Sequence, residues 1–324
     1  TLLAVSVDAS RFFCHINNQC RTSRQVFPCR AEESMTTYHS SASASSAIAS
    51  QGTTTTTKAK QKADQKAATN RIWELDTWRG VAICTMILYH FMWDLWFFRL
   101  LPPDVTLFDG FWKYVQRFTA VSFLLLVGIS LTISYRSSLL RKGGNSAGLF
   151  AKFARRGLKV FGLGMIVTLV TWVVGVGTIH FGILHLIGFS IIAAYPFLRF
   201  RWLNFFLWML FFAAGYFTVI NPIYLDHNWL TWLGLRRPDY YASDYFPVIP
   251  WFGVVLLGIF LGNTFYTASG RRFYLPDWGN FPPFRFLQLL GRNSLLIYMI
   301  HQPILFAIAF LLSIGRFWWI GRGI

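Results

Sequence analysis

Apolar stretches recur along most of the chain from about residue 78 onward, separated by polar connections. Each is long enough for the helix of about 20 residues that crosses the apolar core of a bilayer. Seven such stretches occur, at about 80–98, 118–135, 158–177, 179–198, 202–220, 247–266 and 289–313. Because backbone polar groups in lipid must be satisfied within their own segment, these stretches predict helices and not strands. The predicted fold class is all-α, a polytopic membrane helix bundle of about seven transmembrane helices.

The first 70 residues follow a different pattern. Ser, Ala and Thr are frequent in residues 36–70, and a threonine run is followed by four lysines, Lys58, Lys60, Lys62 and Lys66. A segment with few large apolar side chains cannot offset the entropy of ordering, so residues 1–70 predict a disordered, basic N-terminal tail. The first methionine is Met35, and we interpret residues 1–34 as a mis-called start or, alternatively, as a transit peptide. Residues 71–313 then form the membrane domain, and residues 314–324 form a short C-terminal end.

The composition is that of a membrane protein and makes the basic charge a topology signal. Apolar residues make up 54% of the chain and charged residues only 13%, whereas about a quarter of an ordinary soluble protein is charged. The net charge of +17 comes from the tail and the short connections, so we predict no nucleic acid partner. The connection between the second and third stretches carries only basic charges, at Arg136, Arg141, Lys142, Lys152, Arg155, Arg156 and Lys159. The positive-inside rule therefore predicts a cytoplasmic N-terminus and an outer C-terminus.

The first apolar stretch contains ionisable side chains, which are costly inside a membrane and are therefore functional candidates. Arg79 lies at its cytoplasmic end, His90 lies near its middle, and Asp94 lies one turn further along. Helical geometry places Arg79 and His90 on one face, about 16 Å apart along the axis. Asp94, at i+4 from His90, is expected to orient the imidazole as a general base. The alternatives are a structural interhelical hydrogen bond for His90 and an interfacial ion pair for Asp76 and Arg79.

Two more histidines lie in later apolar stretches. His185 follows Gly182 in the fourth stretch, and His301 lies in the last one, close to Pro303, which can open a helix locally. Both are further catalytic candidates, although interhelical packing explains either one alone. His180 and His185 point about 140° apart on a helix, which is unfavourable for ligands of one metal ion. The four cysteines also lack the spacing of metal ligands, so we predict no metal site.

Four segments form an ordered set of motifs. The first runs from Arg71-Ile-Trp-Glu-Leu-Asp76-Thr-Trp-Arg79-Gly-Val-Ala82 to Tyr89-His90-Phe-Met-Trp-Asp94. The others are Phe181-Gly-Ile-Leu-His185-Leu-Ile-Gly188, Pro250-Trp-Phe-Gly-Val-Val-Leu-Leu-Gly258 and Gly291-Arg-Asn-Ser-Leu-Leu-Ile-Tyr-Met-Ile-His301-Gln-Pro303. Over about residues 71–313, this set resembles the heparan-alpha-glucosaminide N-acetyltransferase catalytic-domain family, which is one of the transmembrane acyltransferases.

The resemblance implies acyl transfer across a membrane, from cytosolic acetyl-CoA or another acyl-CoA to an acceptor on the far side. In the related acyltransferase-3 family, an arginine followed by ten residues and a histidine marks the donor site, and Arg79 and His90 have that spacing. We therefore predict that Asp76 and Arg79 bind acyl-CoA and that His90 is the base. The lysosomal sugar acetyltransferase of this family has its catalytic histidine in the first outer loop, whereas residues 99–117 of this chain contain none.

The predicted function is transfer of an acyl group, expected to be acetyl, to a hydroxyl or amine of an extracytoplasmic glycan or glycolipid. Its expected partners are the lipid bilayer, acyl-CoA as a co-substrate and the acceptor, with no permanently bound cofactor. The expected location is a bacterial plasma membrane or, alternatively, an organellar membrane. Two other functions are left open: a haem-binding electron-transfer protein ligated by His90, His185 and His301, and a proton-coupled transporter with a His90/Asp94 relay.

Overall fold

The structure is a computed structural model that describes residues 72–320, apart from 176–178, 222–223, 241–243 and 269. For residues 316–320 it describes the backbone alone. The predicted tail, residues 1–70, lies outside the described residues, and so do residues 321–324 of the predicted C-terminal end. The division of the chain into a tail and a membrane domain therefore stays a prediction.

Eight α-helices make up most of the described chain. They are α1 (Trp73–Phe97), α2 (Gly110–Arg141), α3 (Leu149–Val174), α4 (Ile183–Ala193), α5 (Trp202–Ile220), α6 (Val248–Phe265), α7 (Pro282–Arg292) and α8 (Ser294–Ile320). Short 3₁₀ helices occur at Tyr195–Phe197 and Thr231–Leu233. Within the described ranges, strand-like pairing is limited to isolated bridges between single residues. The predicted all-α fold class is confirmed.

Six of the described helices, α1, α2, α3, α5, α6 and α8, are long and apolar enough to cross a membrane. Each overlaps one of the predicted apolar stretches, although several helices extend beyond the predicted bounds. Large apolar side chains such as Trp172 on α3 and Phe212 on α5 are exposed, as expected for helix faces in contact with lipid. The protein is therefore an integral, multi-pass membrane protein.

The remaining predicted stretch, 179–198, forms the short helix α4 and the 3₁₀ helix that follows it. Phe246, just before α6, donates its backbone N–H to the carbonyl of Phe181 at 3.0 Å. Near the other end of α6, the Asn263 side chain donates to the carbonyl of Leu198 at 3.1 Å. The chain between Phe181 and Leu198 therefore passes from one end of α6 to the other. It makes a seventh passage through the bundle with an α-helix of only 11 residues.

The last predicted stretch, 289–313, begins inside a separate helix, α7. Helix α7 starts with two prolines, which suit the first turn because their missing N–H groups would have no helical partner there. Its polar residues Arg285, Gln288 and Arg292 recur at spacings of three and four, so they share a face. The membrane-crossing helix α8 then begins at Ser294 and continues through Pro303. Hydropathy alone does not separate an amphipathic helix from the apolar helix that follows it.

The two ends of the bundle differ in charge. We call the end that holds residues 142–148, 199–201, 266–268, 270–281 and α7 the basic end. At this end, Arg136 of α2 links α2 to the end of α6. Its guanidinium group donates hydrogen bonds to Asn263 Oδ1 at 2.7 Å and to the carbonyl of Tyr266. We call the opposite end, formed by residues 98–109, 224–240 and 244–247, the loop end. The loop end carries both acids and bases, for example the exposed pair Arg237–Asp239.

Helix crossings are close because small residues lie at them. The main apolar core lies between α2, α4 and α6, and Gly128 and Gly258 lie where α2 and α6 are in close contact. A Cβ at Gly258 would collide with the backbone oxygen of Leu125, and a Cβ at Gly128 would collide with that of Val255. In lipid, where apolar surface gives little drive for association, such close backbone contact is a principal source of helix packing energy.

Gly258→Ala is expected to destabilise the bundle by about 1–3 kcal/mol, because the added methyl group forces α2 and α6 apart. The matched control is Gly162→Ala on α3, where a Cβ would meet nothing within 4 Å. There the helix propensity of alanine is expected to leave stability unchanged or slightly raised. Thermal unfolding of both variants in the same detergent measures the difference, and equal stability of the two would contradict the close-packing interpretation.

Candidate functional site

An ion network at the basic end centres on Asp76 of α1, which is buried. Its Oδ1 accepts a hydrogen bond from Arg79 at 2.7 Å, and its Oδ2 accepts one from Arg292 of α7 at 3.4 Å. Arg79 also donates to the hydroxyl of Ser130 on α2. Asp76 thus fixes two guanidinium groups from different helices on either side of one carboxylate.

Close packing of α7 against α1 brings Arg292 to this network. A Cβ at Gly80 would collide with the backbone of Leu287, and a Cβ at Gly291 would collide with the carbonyl of Asp76. Both glycines therefore allow the two backbones to touch. Gln288 accepts a hydrogen bond from Arg292 at 3.1 Å and so holds its guanidinium group toward α1.

The charge around this network is positive. Its three members, Asp76, Arg79 and Arg292, are two cations and one anion. Arg271 and Glu74 form a separate ion pair, with 3.2 Å between nitrogen and oxygen. We call Asp76, Arg79 and Arg292 the arginine cluster. An excess of positive charge held by guanidinium forks favours binding of phosphate groups, which accept two parallel hydrogen bonds from one arginine.

A second polar cluster lies deeper in the bundle, between α1 and α8, and we call its residues His90, Asp94, His301 and Gln302 the inner cluster. The ring centroids of His90 and His301 are 5.0 Å apart. Asp94 Oδ1 accepts a hydrogen bond from the Gln302 amide at 2.8 Å. Asp94 is only 1% exposed although it carries a carboxyl group. Such burial in a membrane interior makes the cluster a candidate functional site.

The tautomer of His301 follows from its hydrogen bond. Its Nδ1 lies 2.7 Å from the carbonyl of Tyr298, and a carbonyl oxygen only accepts, so Nδ1 carries the proton. Nε2 then has a free lone pair, and this atom is buried without a hydrogen-bond partner among the described residues. The same part of the chain offers no partner to the buried atoms Asp94 Oδ2 and Gln302 Oε1. With the Gln302 amide donating to Asp94, all three of these atoms are hydrogen-bond acceptors.

The predicted site residues fall into three places. Arg79 and Asp76 form the expected ion pair, and His90 faces His301, as their ring contact shows. Asp94, expected to orient His90, instead bonds to Gln302, and no hydrogen bond joins Asp94 to His90 among the described side chains. His185 lies apart from both clusters on α4, where its ring packs against Phe161. The catalytic roles of these residues stay predictions.

Sequence reasoning missed several members of the two clusters. Arg292 and Gln302 were present in the last motif, but their partners Asp76 and Asp94 lie 216 and 208 positions away along the chain. Ser130 gave no signal, since a hydroxyl in an apolar helix is common. Among the described residues, no group of three or more His, Cys, Asp and Glu side chains could hold a metal ion. The contact between His90 and His301 also leaves no space for a haem between their rings.

The fold and these clusters define a multi-pass membrane protein whose interior holds a histidine pair and whose basic end holds an arginine cluster. The sequence model of one family, described as heparan-alpha-glucosaminide N-acetyltransferase, catalytic, matches residues 71–303. The match covers more than half of the chain and includes both clusters, so the chain belongs to this family, and the predicted resemblance is confirmed. Family membership makes the protein a membrane acetyltransferase. Neither the curated proteins nor the solved structures compared with the chain include a match.

Proposed function

We propose that the protein transfers an acetyl group from acetyl-CoA, bound at the basic end, to an amine or hydroxyl of a glycan or glycolipid that approaches from the loop end. The observation that carries the proposal is that one helix, α1, holds both centres. Its Arg79 lies in the arginine cluster and its His90 contacts His301 in the inner cluster. Arg79 and His90 are eleven positions apart on the helix, which corresponds to about 16 Å along its axis. The extended arm that joins the phosphates of CoA to its thioester can bridge such a distance.

The arginine cluster suits the phosphate groups of acetyl-CoA. Arg79 and Arg292 are oriented by Asp76 before any ligand binds, so little side-chain entropy would be lost on binding. The acetyl thioester would then lie next to the inner cluster, in the low-dielectric interior of the bundle. Arg292 is an addition to the donor site predicted from sequence, which contained Asp76 and Arg79.

The inner cluster suits an acceptor that brings hydrogen-bond donors. The three unpartnered acceptor atoms, on Asp94, His301 and Gln302, would be satisfied by N–H or O–H groups of a sugar. As the acceptor nitrogen or oxygen bonds to the thioester carbonyl carbon, its proton passes to the imidazole of the histidine pair. The C–S bond then breaks, and the CoA thiolate takes up a proton. His90 stays the proposed base, and His301 in contact with it presents a free Nε2.

Labelled acetyl-CoA supplied to the cytosolic face of inside-out vesicles tests this function. Label is expected to appear on a glycan or glycolipid in the vesicle lumen, and to do so only with the protein present. Movement of an unmodified solute without any covalent labelling would instead support the transporter alternative. A Soret absorption band in the purified protein would support the haem alternative.

The proposed orientation, with the basic end in the cytosol, is testable by cysteine labelling. Gly144 at the basic end and His227 at the loop end are both exposed. In a background without native cysteines, Gly144→Cys is expected to be shielded from an impermeant thiol reagent in intact cells, because a basic connection is retained inside. His227→Cys is expected to be labelled. The reverse pattern would overturn the orientation, and the cytosolic donor site with it.

A further inference from the structure

A small cavity near the loop end lies between α3, α4, α8 and the segment that precedes α6. The volume that the centre of a water molecule can occupy in it is about 10 Å³, and its lining includes Gly164, Gly182, His185, Asp244 and Tyr298. To hold one water molecule, a cavity needs about 10–15 Å³ of such volume and two to four polar partners. The space is therefore of water size, and a water molecule binds there if the walls offer hydrogen-bond donors and acceptors.

His185 offers a donor to the cavity. Its Nδ1 accepts a hydrogen bond from the backbone N–H of Gly182 at 3.2 Å, so Nδ1 has no proton and Nε2 carries it. The side chain is 2% exposed, and none of the described residues bonds to the Nε2–H group. A buried donor without a partner is costly. Because its lone pair is used by Gly182 and its other nitrogen is protonated, this imidazole cannot ligate a metal ion here.

Asp244 and Tyr298 offer the complementary groups. Asp244 Oδ2 accepts a hydrogen bond from the backbone N–H of Ile183 at 3.1 Å, at the start of α4, where the helix dipole favours a carboxylate. Among the described residues, the other oxygen of Asp244 and the hydroxyl of Tyr298 make no hydrogen bond. Desolvation raises the pKa of Asp244 to about 6, so at neutral pH the carboxylate is still largely ionised and accepts hydrogen bonds.

Tyr298 connects this cavity to the inner cluster. Its carbonyl accepts the Nδ1–H of His301 at 2.7 Å, and the ring centroids of Tyr298 and His301 are 5.5 Å apart. Anchoring the Tyr298 side chain on the cavity side therefore restrains the α8 turn that presents Nε2 of His301. The cavity and the histidine pair share one residue, Tyr298, although His185 itself lies outside the inner cluster.

We propose that this cavity binds one water molecule, which accepts a hydrogen bond from His185 Nε2–H, donates one to Asp244 and bonds to the Tyr298 hydroxyl. Asp244 and Tyr298 are then positioning residues that restrain His301 in the tautomer with a free Nε2. The positioning role rests on the proposed acetyl transfer, whereas the water site does not. Among the described residues, His185 Nε2–H, the second oxygen of Asp244 and the Tyr298 hydroxyl would otherwise have no hydrogen-bond partner around a water-sized space.

A double-mutant cycle tests the shared water. Tyr298→Phe removes only the hydroxyl, and Asp244→Asn keeps an oxygen that accepts from Ile183. If both residues act through one water molecule, the double variant is expected to lose no more thermal stability than either single variant. The ¹⁵N resonance of His185 Nε2 is expected to shift in both single variants. The controls are Tyr195→Phe, whose ring packs against Phe153, and the exposed Asp239→Asn, and neither is expected to shift it.

The proposed effect of Asp244 and Tyr298 on catalysis is tested separately, by steady-state kinetics. Each single variant is expected to lower kcat about tenfold, the effect of one net hydrogen bond, with the KM for acetyl-CoA unchanged. Additive stability losses with an unshifted His185 resonance would overturn the water site. A coupled cycle with wild-type kcat would overturn the positioning role. If the wild-type protein transfers no acetyl group, the proposed function fails, and the stability cycle and the His185 resonance still decide whether the water is present.

Discussion

Replacement of His90 by alanine is expected to lower the rate of acetyl transfer by about 10²- to 10⁴-fold, the usual contribution of a general base. The acceptor must lose a proton as it attacks the thioester, and only the His90–His301 pair offers an imidazole in the inner cluster. Binding of acetyl-CoA is expected to stay nearly unchanged, because the lost interaction belongs to the transition state more than to the ground state. The measurement pairs transfer of labelled acetyl groups with a separate donor-binding assay.

The same assay on His301→Ala distinguishes the two members of the pair. If they act as one unit, each single variant and the double variant are expected to lose similar activity. His227→Ala, at an exposed position of the loop end, serves as the control and is expected to retain wild-type rates. Near-wild-type transfer by His90→Ala would refute its assignment as base, and loss confined to His301→Ala would move the role to that residue.

Arg79→Ala is expected to weaken acetyl-CoA binding by about 10- to 100-fold, since a buried or partly buried charged hydrogen bond contributes about 1.5–3 kcal/mol. Arg79→Lys is expected to restore little of this affinity, because lysine lacks the planar fork that bonds Asp76 and phosphate together. Binding of radiolabelled or fluorescent acetyl-CoA to purified protein measures both. Arg292→Ala is expected to have a smaller effect, since its side chain is 45% exposed, compared with 25% for Arg79.

The control for Arg79→Ala is Arg285→Ala, because Arg285 is an exposed arginine on α7 at the same end whose guanidinium makes no hydrogen bond to the described residues. It tests whether loss of any positive charge at the basic end weakens binding of acetyl-CoA. Equal effects of Arg285→Ala and Arg79→Ala would indicate a general electrostatic attraction and not a built phosphate site. Unchanged donor binding in Arg79→Ala would reduce Arg79 to an anchor at the membrane interface.

The sequence alone determined the parts of the structure that depend on local chemistry. A bilayer requires each crossing segment to be apolar and to satisfy its own backbone, so the six long helices could be located from hydropathy. Helical periodicity likewise predicted that Arg79 and His90 share one face of the same helix, because the spacing of residues on a helix is fixed. The ordered motifs were sufficient to identify the family, since they preserve residues and order together.

The tertiary structure alone decided the partners, because they come from segments far apart in the chain. Asp94 was expected to bond to His90 one turn away, but the Gln302 amide of α8 is its hydrogen-bond partner. The second guanidinium on Asp76 comes from α7, whose approach depends on backbone contact at Gly80 and Gly291. Helix α4 has only 11 residues, and seven of them are buried in protein. A segment that is enclosed by other helices does not need a continuous helix as long as one that faces lipid, because its backbone polar groups can bond to the surrounding protein.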